Sequence, residues 1–211
     1  METAEEKYIR EHSTKESEAL SWLVRQTHLK TGYARMLTGS VQGSFITQLI
    51  QLMGARNVLE IGTFTGYSSI CMAYGLPENG HLDTLEINDE LEYLIVEGFE
   101  RAGVQDKISL YIGDAMQTLD QLKDKVYDLA YIDANKREYS AYYNRIIGMI
   151  RPGGCIIADD VLWDGKPYAE NIPHDKQTQG IMQFNDLVAN DPRVEVVMLP
   201  VRHGMSLIRK K

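Results

Sequence analysis

A chain of 211 residues with 44% hydrophobic and 25% charged side chains can fill one complete core and is short for two ordinary domains. A net charge of −8 repels polyanions at long range, no apolar run approaches the ~20 residues of a membrane helix, and the terminus, charged from Glu2, is unlike a secretory signal. Cys71 and Cys155 sit in apolar stretches without a CxxC or a Cys/His cluster, which speaks against a disulfide framework or structural zinc and fits a cytoplasmic setting.

The opening third reads helical. Ser13 and Glu16 form a Ser-x-x-Glu start signal for a helix running to about Leu29, with Leu20, Trp22, Leu23 and Val24 on one side and Gly32 as its stop. Arg35 to Ser40 reads as an irregular loop. Residues 43–53 then bring Phe45, Ile46, Leu49, Ile50 and Met53 to helical spacing. From residue 57 the pattern alternates. Short apolar runs end in acid or glycine: Val58-Leu59-Glu60, Leu82 to Glu86, Ile108 to Ile112, Leu129 to Asp133 and Cys155 to Asp159. Each leads toward a helical stretch, and five such units predict a parallel sheet covered by helices on both faces. Val194 to Pro200 and Met205 to Ile208, joined by a turn through Gly204, predict an antiparallel hairpin closing one edge. Open sheets of this kind bind ligands beyond the carboxyl ends of their strands, so the acidic strand ends should meet at one crevice.

The first strand runs into Glu60-Ile-Gly62-Thr63-Phe-Thr-Gly66-Tyr-Ser68, a strand, a glycine turn and a helix start. Gly62 and Gly66 are expected to let backbone pass close to a ligand. The spacing is not the G-x-G-x-x-G of a dinucleotide site, which disfavours a nicotinamide dehydrogenase. Glu86, twenty residues past Gly66 at the next strand end, can accept from two ribose hydroxyls. Together these features predict a nucleoside without a pyrophosphate. Asp114, after Gly113, is placed either to meet an adenine edge or to cap a helix.

Residues Leu59 to Ser69 resemble motif I of the class I S-adenosylmethionine-dependent methyltransferases, and more narrowly the cation-dependent O-methyltransferases that act on catechols and caffeoyl-coenzyme A. The resemblance runs from Arg35-Met-Leu-Thr-Gly to the final hairpin. It implies an α/β, Rossmann-like, doubly wound sheet of seven mostly parallel strands with an antiparallel C-terminal hairpin. It also implies a single domain over 1–211, with extra N-terminal helices and a lid loop in 1–54 and the core in 55–211. Glu60, Gly62, Ser68, Glu86 and Ala115 take the cofactor positions, joined by Thr63, Gly66, Asp114 and Asp133, while Met36 and Thr38 close over the methionine end.

Asp133, Asp159 and Asp160 stand at two strand ends. If those strands are neighbours, the three carboxylates can converge on one hard cation, Mg²⁺ ahead of Mn²⁺ or Ca²⁺. The resemblance makes Asp133 and Asp159 metal ligands and Lys136 the catalytic lysine. A cation and a sulfonium nearby are expected to lower the pKa of Lys136 toward that of a general base. The family usually carries Asn where this chain has Asp160, and an extra carboxylate should tighten cation binding. Trp163 is placed to wall a planar substrate or to complete a core, and His203 stands in the last turn where relatives carry an acid. The leading expectation is methyl transfer to a small vicinal dihydroxy aromatic. The alternative is methylation of hydroxyuridine in tRNA, for which only Arg209-Lys210-Lys211 offers a basic cluster. Coenzyme A phosphates would call for an arginine cluster, and the 164–176 loop supplies only Lys166 and Lys176. A homodimer is expected from the same likeness.

Overall fold

Strands buried on both faces require nearly continuous apolar sequence, and the five runs from residue 57 onward supply it. The structure, a computed structural model, describes residues 3–211; Met1 and Glu2, where the charged terminus begins, lie outside them. Three helices come first: α1 (Ala4–Glu11), α2 (Glu18–Lys30) and α3 (Ser40–Met53). The alternating body follows as β1 (Asn57–Ile61), α4 (Tyr67–Gly75), β2 (His81–Glu86), α5 (Glu92–Ala102), β3 (Ile108–Ile112), α6 (Ala115–Gln121), β4 (Tyr127–Ile132), α7 (Tyr139–Ile146), β5 (Ile150–Asp159) and α8 (Lys176–Ala189). The chain ends in β6 (Val194–Leu199) and β7 (Met205–Lys210). Spatial order is β3-β2-β1-β4-β5-β7-β6, parallel except for the β5/β7 and β6/β7 pairs. The strand order reverses between β1 and β4, which puts the ligand crevice at their tips. This is the expected seven-stranded α/β fold.

Each strand sends alternate side chains to opposite layers. Leu59, Ile61, Ala130, Ile132, Ile156 and Ala158 pack with α7 and α8, where Phe184 meets the Tyr139 ring edge-on at 5.4 Å. Val58, Leu82, Leu129, Tyr131, Cys155 and Ile157 face Ile46 and Ile50 of α3. Each fully buried Leu or Ile contributes ~2 kcal/mol, so the two layers together supply the main driving force. Among the described residues no helix is long and apolar enough to cross a membrane, and both cysteines are buried and free.

Three boundaries differ from expectation. Ser13 does not start α2: its hydroxyl donates to Ile9 O at 2.7 Å, extending the turn after α1, and Ser17 is the cap, accepting from Leu20 N at 3.2 Å. The reason is that Glu16, the other half of the expected signal, accepts from Tyr67 Oη at 2.6 Å and is not available to a capping box. The loop at 35–40 contains a 3-10 turn over Ala34–Met36, and α3 starts three residues earlier than its apolar repeat, behind Gly39 at φ +81°.

Candidate active site

Strand register assembles the acidic row. Ile61 lies beside Leu85 and Ile132, and Ile132 beside Ala158. One residue further along, Glu86, Asp133 and Asp159 stand across the tips of β2, β4 and β5, with Gly62 between the first two.

At the β1–β2 end every acid is claimed by the chain. Glu60 is fully buried and accepts from Ser68 Oγ, Ser69 Oγ and, at 2.5 Å, Thr84 Oγ1. Burial pushes its carboxyl up to about 7, against the pull of the three hydroxyls. Thr63, also buried, shares a 2.6 Å hydrogen bond with Thr84. Glu60, Ser68 and Thr63 thus bond to one another or to Ser69 and Thr84, inside the wall behind the motif I turn. Glu86 faces that turn, accepting from Phe64 N at 2.6 Å and Asn88 N at 2.9 Å. Both glycines are required by the protein's own packing. A Cβ on Gly62 (φ +99°) would strike the Asp133 carbonyl, and one on Gly66 (φ +91°) would lie 2.8 Å from the Phe99 ring.

The loop carrying Met36 and Thr38 is tied to the last turn of the chain. Met36 is 54% exposed, whereas Thr38 is buried. Arg202, in the β6–β7 turn, donates through Nη1 to Leu37 O at 2.8 Å and to Thr38 O. Asp114 is exposed and caps α6 by accepting from Gln117 N at 2.9 Å, with Ala115 opening the helix. The expected cap is thus formed through Oδ1.

The β4–β5 end is different. Lys136 is buried and donates to Asp133 Oδ1 at 2.8 Å and Tyr139 Oη at 2.7 Å, with Asp160 Oδ2 at 3.5 Å. Tyr139 Oη in turn donates to Asp159 O at 3.0 Å. Burial alone would depress the Lys136 ammonium, but Asp133, Tyr139 and Asp160 outweigh it and hold it well above the ordinary lysine value. The charges nearest to it are carboxylates, whereas the lowering was expected beside a bound cation and a sulfonium. Asp159 continues the Cys155–Ile157 face and meets α3: Oδ2 accepts from Gln42 Nε2 at 2.6 Å and Tyr131 Oη at 2.9 Å, and Oδ1 from Asp160 N at 2.8 Å. Burial, then Asp133, raises its pKa, with Gln42 and Tyr131 opposing. Burial pushes Asp160 up to about 6, opposed by Lys136. Asp160 sits at φ +59°, and its Oδ1 is buried without a partner.

Asp133 and Asp160 therefore share one ammonium, and Asp159 is held by neutral donors. Among the described residues no three acidic, His or Cys side chains already enclose a common point; Lys136 stands between Asp133 and Asp160 instead. The donors nonetheless fit a hard divalent cation. All are oxygens, negative charge exceeds positive, and Asp160 Oδ1 lacks any other partner.

Trp163 flanks this end at φ +43°, its ring packed against the α7–α8 core, Lys166 Nζ 4.7 Å from the ring centroid, and its Nε1 buried without a partner. His203 is exposed and lies 3.0 Å from Asp164. Gln42, Tyr131, Tyr139 and Arg202 are site residues that sequence reasoning missed. Gln42 alone had a signal, being polar at the i−4 and i−8 positions of the buried Ile46 and Ile50.

Comparison with known proteins extends this geometry. A family model described as O-methyltransferase matches residues 10–211. Caffeoyl-CoA O-methyltransferase 1 of Eucalyptus globulus is 36% identical over 196 residues, covering 89% of this chain and 80% of the relative. Caffeoyl-CoA O-methyltransferase 5 of Nicotiana tabacum is 36% identical over 215 residues, covering 96% and 89%. The crystal structure of an O-methyltransferase from Bacillus cereus in complex with SAH superimposes with a TM-score of 0.90 at 31% identity, covering 100% of this chain and 98% of that one.

Proposed function

Since the chain belongs to the O-methyltransferase family and is an S-adenosylmethionine-dependent O-methyltransferase of the caffeoyl-CoA type, we propose that its acceptor is a small vicinal dihydroxy aromatic and that a divalent cation, Mg²⁺ foremost, takes part. The observation that carries this reading is the row Glu86–Asp133–Asp159 with Lys136 beside it.

Glu86, braced by two backbone N–H groups, keeps lone pairs for the ribose hydroxyls, and Met36 and Thr38 cover the methionine end. Asp133, Asp159 and Asp160 would hold the cation, which supplies Lewis-acid stabilisation of an acceptor oxyanion. Carboxylates engaged that way no longer hold the Lys136 ammonium, so the charges that keep it protonated weaken and Nζ becomes able to take the acceptor's proton. Tyr139 Oη, tied to the Asp159 carbonyl, keeps Nζ oriented. Trp163 walls the planar ring. Transfer then depends chiefly on aligning the acceptor oxygen with the S–CH₃ bond.

The test is methyl transfer from labelled S-adenosylmethionine to catechols, caffeate, caffeoyl thioester and tRNA, each with Mg²⁺ and with chelator. Labelling of catechols that stops on chelation is the expected result. Activity indifferent to chelator would remove the cation, and labelling confined to tRNA would replace the acceptor.

A further inference from the structure

A carboxylate offers about four lone-pair positions, and the chain takes three on Asp159: Gln42 and Tyr131 on Oδ2, the Asp160 N–H on Oδ1. One position, on Oδ1, is left. Gln42 is 1% exposed and lies in the first turn of α3, one and two turns before the buried Ile46 and Ile50. Helical periodicity there calls for an apolar side chain. Its Nε2 reaches both Asp159 and Tyr131 Oη, the latter at 3.0 Å, yet its Oε1 is buried with no partner. Burying an amide half-satisfied is unfavourable, so packing alone would favour Leu or Met at this position.

The geometry points to Gln42 as a positioning residue that fixes the orientation of Asp159 without neutralising it. Its amide is the neutral group of that length that can donate to Oδ2. A lysine would cancel the carboxylate's charge and compete with a cation, and a glutamate would add a second buried anion. Held on Oδ2 from α3, Asp159 turns its one free lone pair on Oδ1 toward the acidic group it shares with Asp133 and Asp160. This role rests on the divalent-cation reading above.

The measurement is Mn²⁺ binding by titration calorimetry on the full chain, wild type against Gln42→Met and Gln42→Asn, with SAH affinity and melting temperature recorded in parallel. Gln42→Met keeps the volume and removes the donor; Gln42→Asn keeps an amide that is one methylene too short. Loss of a group that orients a metal ligand typically weakens the metal ~10–100-fold, and that loss is expected in both variants, with SAH affinity within about twofold of wild type. Mn²⁺ affinity within about twofold of wild type in either folded variant overturns the assignment and leaves the cation reading standing. A matching loss of SAH affinity makes Gln42 a packing residue and also overturns it. A wild-type chain that binds no Mn²⁺ overturns the cation reading and the role of Gln42 with it.

Discussion

The two ends of the acidic row are built on opposite electrostatic terms. At the β1–β2 tips, Glu60 is met by three hydroxyls and Glu86 by two backbone N–H groups, so the wall is complete before anything binds. At the β4–β5 tips, Asp133 and Asp160 share a single ammonium, Asp159 has only neutral donors, and acceptor atoms of Gln42 and Asp160 have no partner. One end is preorganised for a ligand that brings its own hydroxyls; the other holds surplus negative charge that a bound cation would relieve. Affinity for the cofactor and competence for transfer should therefore be separable by mutation.

The sharpest way to break that contrast is Lys136→Met. It strands the carboxylates and removes the proton acceptor, so kcat should fall ~10²–10⁴-fold while cofactor affinity stays close to wild type. A rate loss of only a few fold, in single-turnover assays, would deny Lys136 its role. Glu86→Gln probes the other end. Weakening hydrogen bonds to a charged group there should raise KM for S-adenosylmethionine ~10–100-fold at nearly constant kcat. A fall in kcat with KM unchanged would mean the two ends are not independent.

Glu60→Gln isolates the wall itself. The Glu60 carboxyl titrates at about 7 in the fold against 4.5 when free, so the folded chain holds this proton more tightly and stability is lost as pH rises from about 4.5 to about 7. The variant should lack that loss. Urea midpoints taken at pH 5 and pH 8 should show it gaining on wild type by on the order of 2 kcal/mol at the higher pH. Equal pH slopes in the two proteins would show that the hydroxyls compensate the charge fully. The mildest expected effect is that of Asp160→Asn, with turnover kept or improved and Mg²⁺ affinity ~3–10-fold weaker as one acidic donor goes. A large loss of activity with an unchanged metal titration would contradict it.

Much of this arrangement was legible from local pattern. Apolar runs ending in acid announced the strands, and once strand order is known the register alone aligns Glu86, Asp133 and Asp159. Contacts made by distant segments were not legible. Gln42 and Asp159 are 117 positions apart, and Tyr131 looked like one more apolar strand residue. Ser13 and Glu16 made a sound capping signal until Tyr67, 51 residues on, took the carboxylate. The carboxylates and the phenol around Lys136 were not legible either. Its titration depends on which charges the fold brings near, and Asp160 stands 24 positions away while Tyr139 reaches back from α7.

The grip of Arg202 on the carbonyls of Leu37 and Thr38 joins the final turn of the chain to a loop made near its beginning. While a ribosome is still delivering β6 and β7, strands β1 to β5 can already lie side by side, yet the Leu37 and Thr38 carbonyls still lack the Arg202 guanidinium. Such a nascent chain would carry the acidic strand tips of β2, β4 and β5 before that loop is tied down, and the tie would await the final turn.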